Sequence, residues 1–312
     1  MKNQEWLNRC HFGDCLETLR GMPDGIVNTC VTSPPYFGLR DYGHAGQIGL
    51  EPTPDEFVAK LVTVFREVRR VLRDDGTLWL NIGDSYTSGG RTHERDPDAK
   101  NVAVGTGAKR AALPDGLKPK DLIGIPWMLA FALRADGWYL RQEIIWHKPN
   151  PMPESVTDRC TKSHEQIFLM AKSASYYFDA EAMKEPSVTN DPRRPYTSKG
   201  AKDLDGRSEW KSGQARDKGD FSLRNKRSVW TVTTKPFKGA HFATFPPDLI
   251  EPCILAGAPA GGIVLDPFFG SGTTGQVAQA LGRQFIGIEL NDAYKPLQDE
   301  RLRQPSLILE AA

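Results

Sequence analysis

The residues best suited to chemistry lie in two short stretches far apart in the chain. They are Ser33-Pro34-Pro35-Tyr36 and Asp266-Pro267-Phe268-Phe269-Gly270-Ser271-Gly272-Thr273-Thr274. In the first, two prolines fix φ and remove two N–H groups, so the backbone carbonyls there are rigidly held acceptors. Ser33 adds a hydroxyl acceptor and Tyr36 a flat face for stacking. An exocyclic amine on a nucleobase offers two N–H donors and a lone pair delocalised into the ring. Acceptors at Ser33 and at the Pro34 carbonyl would hold both hydrogens and favour a pyramidal nitrogen, freeing the lone pair to attack a sulfonium methyl. Catalysis of that kind rests on positioning and electrostatics, without a covalent intermediate. Taken by itself, the stretch reads more simply as a rigid Pro-Pro turn beside a core tyrosine.

In the second stretch, glycines allow a tight turn and let a ligand approach the backbone. Glu289 ends the following strand, nineteen positions after Gly270. An α/β nucleotide site places an acid on the ribose hydroxyls roughly 20 residues on. The glycines are Gly270, Gly272 and Gly275, and there is no GxxxxGK[ST] phosphate loop. An adenosine ligand without a polyphosphate therefore fits better than ATP. A lone Gly-x-Gly is also an ordinary strand-to-helix turn. The run of strand, turn, helix, strand and acid makes this one more specific.

The elements that must position these loops are legible in the apolar pattern. Residues 26–32 are apolar and β-branched and stop at Ser33, which predicts a buried strand followed by a loop. Phe57, Leu61, Val64, Phe65, Val68 and Leu72 have helical spacing, with Lys and Arg on the other face. Asp74-Asp75-Gly76 turns the chain into a strand over 77–82. Further strands are predicted at 141–146, 165–171, 262–265 and 284–288, and helices at 125–133 and 274–281. Alternating strands and helices predict a parallel, doubly wound sheet with its ligand at the carboxyl ends of the strands.

Composition sets the outer limits. The 312 residues suffice for one large α/β domain with an inserted region. Hydrophobic residues at 39% and charged residues at 25% allow an ordinary globular core. Five cysteines without a CxxC pair argue against both zinc and a disulfide framework, and point to a reducing cytosol. The amino terminus lacks the apolar stretch of a signal peptide, and no apolar run is long enough for a bilayer. The expectation is a cytoplasmic protein with no membrane partner.

Lys and Arg total 40 against 39 Asp and Glu, so net charge predicts no nucleic-acid partner. The distribution of charge differs from its sum. Residues 86–121 and 185–240 have little periodicity. The second carries thirteen basic and seven acidic residues, a net charge of +6, with Trp210, Phe221, Trp230 and Phe237 interleaved. Such a stretch is either a solvated loop or a nucleic-acid contact surface.

Together the two loops resemble those of the DNA amino-methyltransferases, the N4-cytosine and N6-adenine enzymes. Val31-Thr32-Ser33-Pro34-Pro35-Tyr36 is similar to the family's catalytic loop, and 266–273 to its cofactor loop. Ile286-Gly287-Ile288-Glu289 is similar to the strand whose acid binds the cofactor ribose. Weaker matches are 11–16, whose Asp14 would lie near the cofactor adenine, 245–250 before the cofactor loop, and 146–151 near the target-base pocket. The catalytic loop precedes the cofactor loop, which is the circularly permuted arrangement called the beta group.

The resemblance implies a Rossmann-like, S-adenosylmethionine-dependent methyltransferase fold, circularly permuted, with an inserted DNA-recognition region. It divides the chain into a catalytic half at 1–184, a target-recognition region at 185–240, and a cofactor-binding half at 241–312. Ser33, Pro34, Pro35 and Tyr36 become the catalytic residues. Asp14, Asp266, Pro267, Phe268, Gly270, Gly272, Thr273 and Glu289 become the cofactor residues. Arg193, Arg194, Arg224, Lys226 and Arg227 become DNA contacts, and no metal is required. Double-stranded DNA is the expected partner, with a homodimer and a cognate restriction endonuclease as further candidates. Base flipping onto Tyr36 would expose the target, with Phe37, Arg40 and Asp41 close by and His147 and Lys148 near phosphate or base. Ser-Pro-Pro-Tyr is the form usual among N4-cytosine enzymes, whereas adenine enzymes usually carry Asp-Pro-Pro-Tyr. Adenine N6 chemistry, a catalytically silent DNA-binding subunit, and a protein-amide or RNA substrate remain as alternatives. A C5-cytosine enzyme would need a Pro-Cys nucleophile, and Pro252-Cys253 falls instead in the segment before the cofactor loop.

Overall fold

The computed structural model describes residues 3–38, 44, 46–87, 116–187, 222–234 and 245–303. Its strands are β1 (Arg9–Phe12), β2 (Val27–Thr32), β3 (Leu72–Ile82), β4 (Tyr139–His147), β5 (His164–Ala171), β6 (Lys184–Pro186), β7 (Leu223–Asn225), β8 (Val229–Thr231), β9 (Ile263–Asp266) and β10 (Gln284–Glu289). Its helices are α1 (Cys15–Gly21), α2 (Pro54–Val71), α3 (Ile125–Ala135), α4 (Pro247–Gly257), α5 (Thr273–Ala280) and α6 (Lys295–Leu302). Among the described residues the main sheet runs β1-β10-β9-β2-β3-β5-β4-β8, and β6 pairs with β7 apart from it.

Helix α2 shows how local sequence sets these elements. Thr53 caps it, its hydroxyl accepting from the Glu56 N–H, and Pro54, Asp55 and Glu56 occupy the first turn. The heptad-like apolar face puts Phe57, Leu61, Phe65 and Val68 wholly inside the core. Truncating a side chain such as Leu61 to alanine there costs about 2–5 kcal/mol. One core layer joins α1, α2 and α3 to the sheet. The other joins α4 and α5 to its opposite face. The result is a three-layer α/β sandwich.

The sheet is not parallel throughout. β5 runs antiparallel to both β3 and β4. The reason lies between β4 and β5, where residues 148–163 contain no helix. Parallel neighbours need a crossover, usually helical, whereas an antiparallel pair needs only a loop. The turn at Asp74-Asp75-Gly76 is absorbed into β3 as an irregularity. β2 pairs through Val27↔Leu72 and then Thr29↔Thr77, so the extra residues bulge from β3. Part of the basic stretch belongs to the main sheet, because β8 extends it beside β4.

Neighbouring strands β9 and β2 send their chains to opposite faces. β2 leads into α2 on one face, and β9 leads into α5 on the other. That divergence is a topological switch point, where open α/β sheets bind ligands beyond the carboxyl ends of the strands.

Candidate active site

The two stretches singled out above meet at that switch point. A cleft is lined by Ser33, Pro34, Pro35 and Tyr36 from the end of β2, and by Pro267, Phe268, Gly270 and Ser271 from the end of β9. Asp14 after β1 and Glu289 to Asn291 at the end of β10 complete the wall. Ligands of open α/β sheets sit at this place, outside the carboxyl ends of the strands.

Glu289 organises the cofactor loop. Its Oε2 accepts from the Gly270 N–H at 2.7 Å and its Oε1 from the Asn291 N–H at 2.9 Å. Burial pushes its carboxyl above the usual range, against the pull of those N–H groups. The Leu290 N–H also acts on this carboxylate, and since a carboxylate has about four acceptor positions, capacity is left for a ligand hydroxyl. Gly270 adopts φ +52°, and a Cβ there would meet no atom closer than 4.0 Å, which leaves the backbone open to a ligand. Gly287 serves differently. A Cβ on it would sit 2.5 Å from Phe269 Cγ, so its absence admits the ring that packs beneath the loop. Asp14 caps α1 through one oxygen, which accepts from Leu16 N and Glu17 N at 2.9 Å each.

Asp266 differs from the reading of it as a cofactor contact. It is 2% exposed and is not among the lining residues. Its Oδ1 accepts from Thr32 Oγ1 at 2.6 Å and Phe268 N at 3.1 Å, and its Oδ2 from Thr274 Oγ1 at 2.6 Å. Burial raises its carboxyl to about 6, against the three donors. Asp266 thus ties the residue before Ser33 to the start of α5, holding the two loops in register from below. Thr273 is likewise buried and bonded to Arg301.

Helix α6 supplies support that sequence reasoning missed. Gln298 Nε2 donates to the Gly270 carbonyl at 2.7 Å, and Arg301 Nη1 donates to Ser271 Oγ at 3.0 Å. The Gly270 unit is therefore held at its N–H by Glu289 and at its carbonyl by Gln298. The available signal was weak. Gln298 is a buried polar residue in an otherwise polar helix of low amphipathicity.

On the other side of the cleft, Tyr36 Oη donates to Glu165 Oε2 at 2.7 Å. Asn81 Nδ2 donates to the same oxygen at 3.2 Å, and Lys148 Nζ forms an ion pair with Oε1. Lys148 also lies 4.1 Å from the centre of the Trp146 ring. Burial and the Glu165 charge push the Tyr36 phenol well above its ordinary range, with Ser33 acting in the opposite sense. The phenol is a donor at any working pH. Lys148 was expected near phosphate or the flipped base; in the structure it pairs with the Glu165 carboxylate and is not among the residues lining the cleft. Glu165 and Asn81 stand on strands read only as core.

Other expectations resolve individually. Phe37 packs on Phe57, with ring centres 5.5 Å apart, and belongs to the core. His147 Nδ1 lies 3.1 Å from Thr231 Oγ1. Trp138 and Trp146 are buried, whereas Trp127 is 38% exposed and edge-on to Phe168. Cys253 sits inside α4 at 1% exposure with its thiol pushed far up by burial, unlike a nucleophile. Arg224 and Arg227 both donate to Glu185 Oε1 at 3.0 Å, and Lys226 lies over the Trp230 ring. Arg40, Asp41, Arg193 and Arg194 lie outside the described residues.

A family model for DNA methylases of the N6/N4 type matches residues 27–300. The chain belongs to this DNA methylase family. It is 54% identical over 291 residues to the Type II methyltransferase M.Cfr9I of Citrobacter freundii, covering 93% of this chain and 86% of that one. It is 52% identical over 290 residues to M.SmaI of Serratia marcescens, covering 93% and 89%. Among solved structures it superposes on the cytosine-N4-specific PvuII DNA methyltransferase with a TM-score of 0.61 at 17% identity, over 96% of this chain and 87% of that one. It also superposes on a DNA modification methylase of Thermus thermophilus in complex with S-adenosyl-L-methionine, with a TM-score of 0.60 at 25% identity, over 94% and 92%. The fold is accordingly the Rossmann-like methyltransferase fold, entered at the catalytic half.

The cofactor of this DNA methylase is S-adenosylmethionine, and the cleft suits it. Glu289 offers a carboxylate to a ribose hydroxyl, Gly270 offers open backbone, and Phe268 offers an aromatic wall. No described helix is long and apolar enough to cross a membrane.

Proposed function

We propose that this DNA methylase transfers a methyl group to the N4 amine of cytosine within a short sequence of double-stranded DNA. The observation that carries the cytosine assignment is Ser33 as the first residue of the Ser-Pro-Pro-Tyr loop, lining the cleft beside the cofactor wall. Bound S-adenosylmethionine supplies an electrophilic methyl on a sulfonium. The protein's part is to present an amine to it. The Ser33 hydroxyl and the Pro34 carbonyl accept the two N–H groups, which turns the nitrogen lone pair out of ring conjugation. Tyr36 stacks on the flipped base. The nitrogen gains the methyl and releases one proton to solvent. No protein nucleophile takes part, so the acceleration comes from orientation and placed dipoles.

Asp14, Phe268, Gly270 and Glu289 would hold the cofactor, with Asp266, Pro267, Gly272 and Thr273 shaping the loop beneath it. Target recognition falls to 185–240, whose charge excess suits phosphate contact with a few residues reading base edges. Arg193, Arg194 and Lys226 are the stronger candidates for those contacts. Arg224 and Arg227 share Glu185, which spends part of their charge within the protein. The similarity to Type II methyltransferases supports a role as the modification half of a restriction–modification pair in the cytoplasm. Its partners would be a cognate endonuclease and, in solution, a second copy of the chain.

The test is labelled methyl transfer from S-adenosylmethionine to mixed-sequence duplex DNA, with the product nucleoside identified by mass spectrometry. N4-methylcytosine is expected. N6-methyladenine would keep the mechanism and overturn the reading of Ser33. Cofactor binding without transfer to any DNA would overturn the proposal.

A further inference from the structure

Glu165 belongs to no motif that the sequence singles out, yet its carboxylate is bonded to Tyr36, which lines the cleft. It lies in β5, the antiparallel strand between β3 and β4. Its two oxygens are shared among groups from three separate stretches of chain. Oε2 accepts from Tyr36 Oη at 2.7 Å and from Asn81 Nδ2 at 3.2 Å, and Oε1 pairs with Lys148 Nζ. Asn81 is 5% exposed and also donates to the Gln166 carbonyl at 3.2 Å, so its amide cannot swing away without losing two bonds. Glu165 and Lys148 are both largely enclosed, at 15% and 18% side-chain exposure.

The Tyr36 ring is confined at its side as well as at its tip. A Cβ on Gly83 would lie 2.6 Å from Tyr36 Cε2 and 3.2 Å from Cζ, so the ring occupies space that only glycine leaves open. A tyrosine side chain has two rotatable torsions before the hydroxyl. Fixing its backbone by Pro34-Pro35, its ring edge against Gly83 and its hydroxyl on Glu165 leaves one ring plane.

We propose that Glu165 is a positioning residue of the methyl-transfer site: it holds the Tyr36 hydroxyl so that the ring plane is set before a base arrives, with Lys148 and Asn81 holding the carboxylate. This rests on the reading of Tyr36 as the surface on which the target base stacks. A pre-set aromatic face spares the ordering that base capture would otherwise require. The bond is charge-assisted, of the stronger kind.

The test is a double-mutant cycle read in steady-state methyl transfer to plasmid DNA, with cofactor binding measured on every variant. Tyr36→Phe keeps the ring and removes the hydroxyl. Glu165→Ala removes the carboxylate, and Glu165→Gln keeps an acceptor oxygen for the hydroxyl. Tyr36→Phe and Glu165→Ala should each lower kcat by about tenfold to a hundredfold, as expected for one hydrogen bond to a charged group. The KM for DNA and the Kd for S-adenosylmethionine should stay within about threefold, because neither involves the captured base directly. The double variant should fall within about threefold of the worse single, since both changes break the same bond. Glu165→Gln should recover most of the loss.

Multiplicative losses in the double variant would overturn the proposal, as would wild-type kcat in Glu165→Ala. If Glu165→Ala loses cofactor binding and so does not fold, the proposal is read from the other two variants. Wild-type kcat in Tyr36→Phe, or a loss in Glu165→Gln as large as that of Tyr36→Phe, would then overturn it. Failure of the wild-type protein to methylate DNA sinks the reading of the cleft itself, and is recognised without any variant.

Discussion

The two walls of the cleft are held by different means. The cofactor wall is fixed through its backbone. Gly270 is bonded at both its N–H and its carbonyl, and Asp266 is saturated by three donors from the strand end and helix start around it. The target wall has prolines where such N–H donors would be; it is tied below through Thr32 on Asp266, and its functional side chain is fixed by Tyr36 on Glu165. A glycine-rich turn needs outside restraint because its backbone has the widest conformational choice. A Pro-Pro turn restrains itself and needs only its functional side chain placed. The cofactor wall should therefore fail as binding and the target wall as turnover.

The largest effect expected from that contrast is on Ser33. Ser33→Ala should lower kcat by about 10²–10³-fold, the usual loss for one placed dipole at a reacting group. Isothermal titration should find its S-adenosylmethionine affinity unchanged, and a weakened cofactor affinity would break the division between the walls.

Asp266 joins the walls and has a pH signature. Its folded carboxyl titrates near 6 against an ordinary 3.8, so between those values the folded state holds a proton that the unfolded state has lost. Stability therefore falls as pH rises from about 4 to about 6, by about 3 kcal/mol at 1.36 kcal/mol per unit. Asp266→Asn should lack this decline, so the difference in urea midpoint between variant and wild type should drift in the variant's favour across that window. A difference that stays level with pH would show that the carboxyl is not shifted.

Glu289→Gln should act on the cofactor wall alone. It weakens a charge-assisted bond to Gly270 and removes charge facing the ribose site. The Kd for S-adenosylmethionine should rise by about ten- to a hundredfold, while kcat at saturating cofactor changes far less. The smallest effect belongs to Gln298→Ala, which frees the Gly270 carbonyl. It should raise the same Kd by about fivefold, the worth of a neutral hydrogen bond, and leave the KM for DNA in place. A fall in kcat from Gln298→Ala would show that the walls are coupled more tightly than their bonding implies.

Much of this arrangement was legible in the chain because it is written in local chemistry. Strand β2 is a β-branched apolar run stopped by prolines, and α2 has its cap, its first-turn acids and its apolar face in order. Ser33 to Tyr36, the glycines and Glu289 are recognisable because backbone geometry admits few residue types there. Glu165 and Asn81 could not be read. Each sits in a strand whose apolar pattern explains it as an element, and Glu165 meets Tyr36 and Asn81 across 129 and 84 positions of chain. Gln298 and Arg301 are silent for the same reason, since nothing near them in sequence marks what they reach.

The sequence by itself determined the alternation of elements, the loop chemistry and the family, because each depends on residues within a few positions of one another. The tertiary structure alone decided that β5 runs against its neighbours, that β8 of the basic stretch extends the main sheet, and that Asp266 supports the cleft from below instead of lining it. These depend on which strand lies beside which, and on whether burial leaves a carboxylate facing a ligand or other side chains. Both are properties of packing between distant segments, which no local pattern of residues carries.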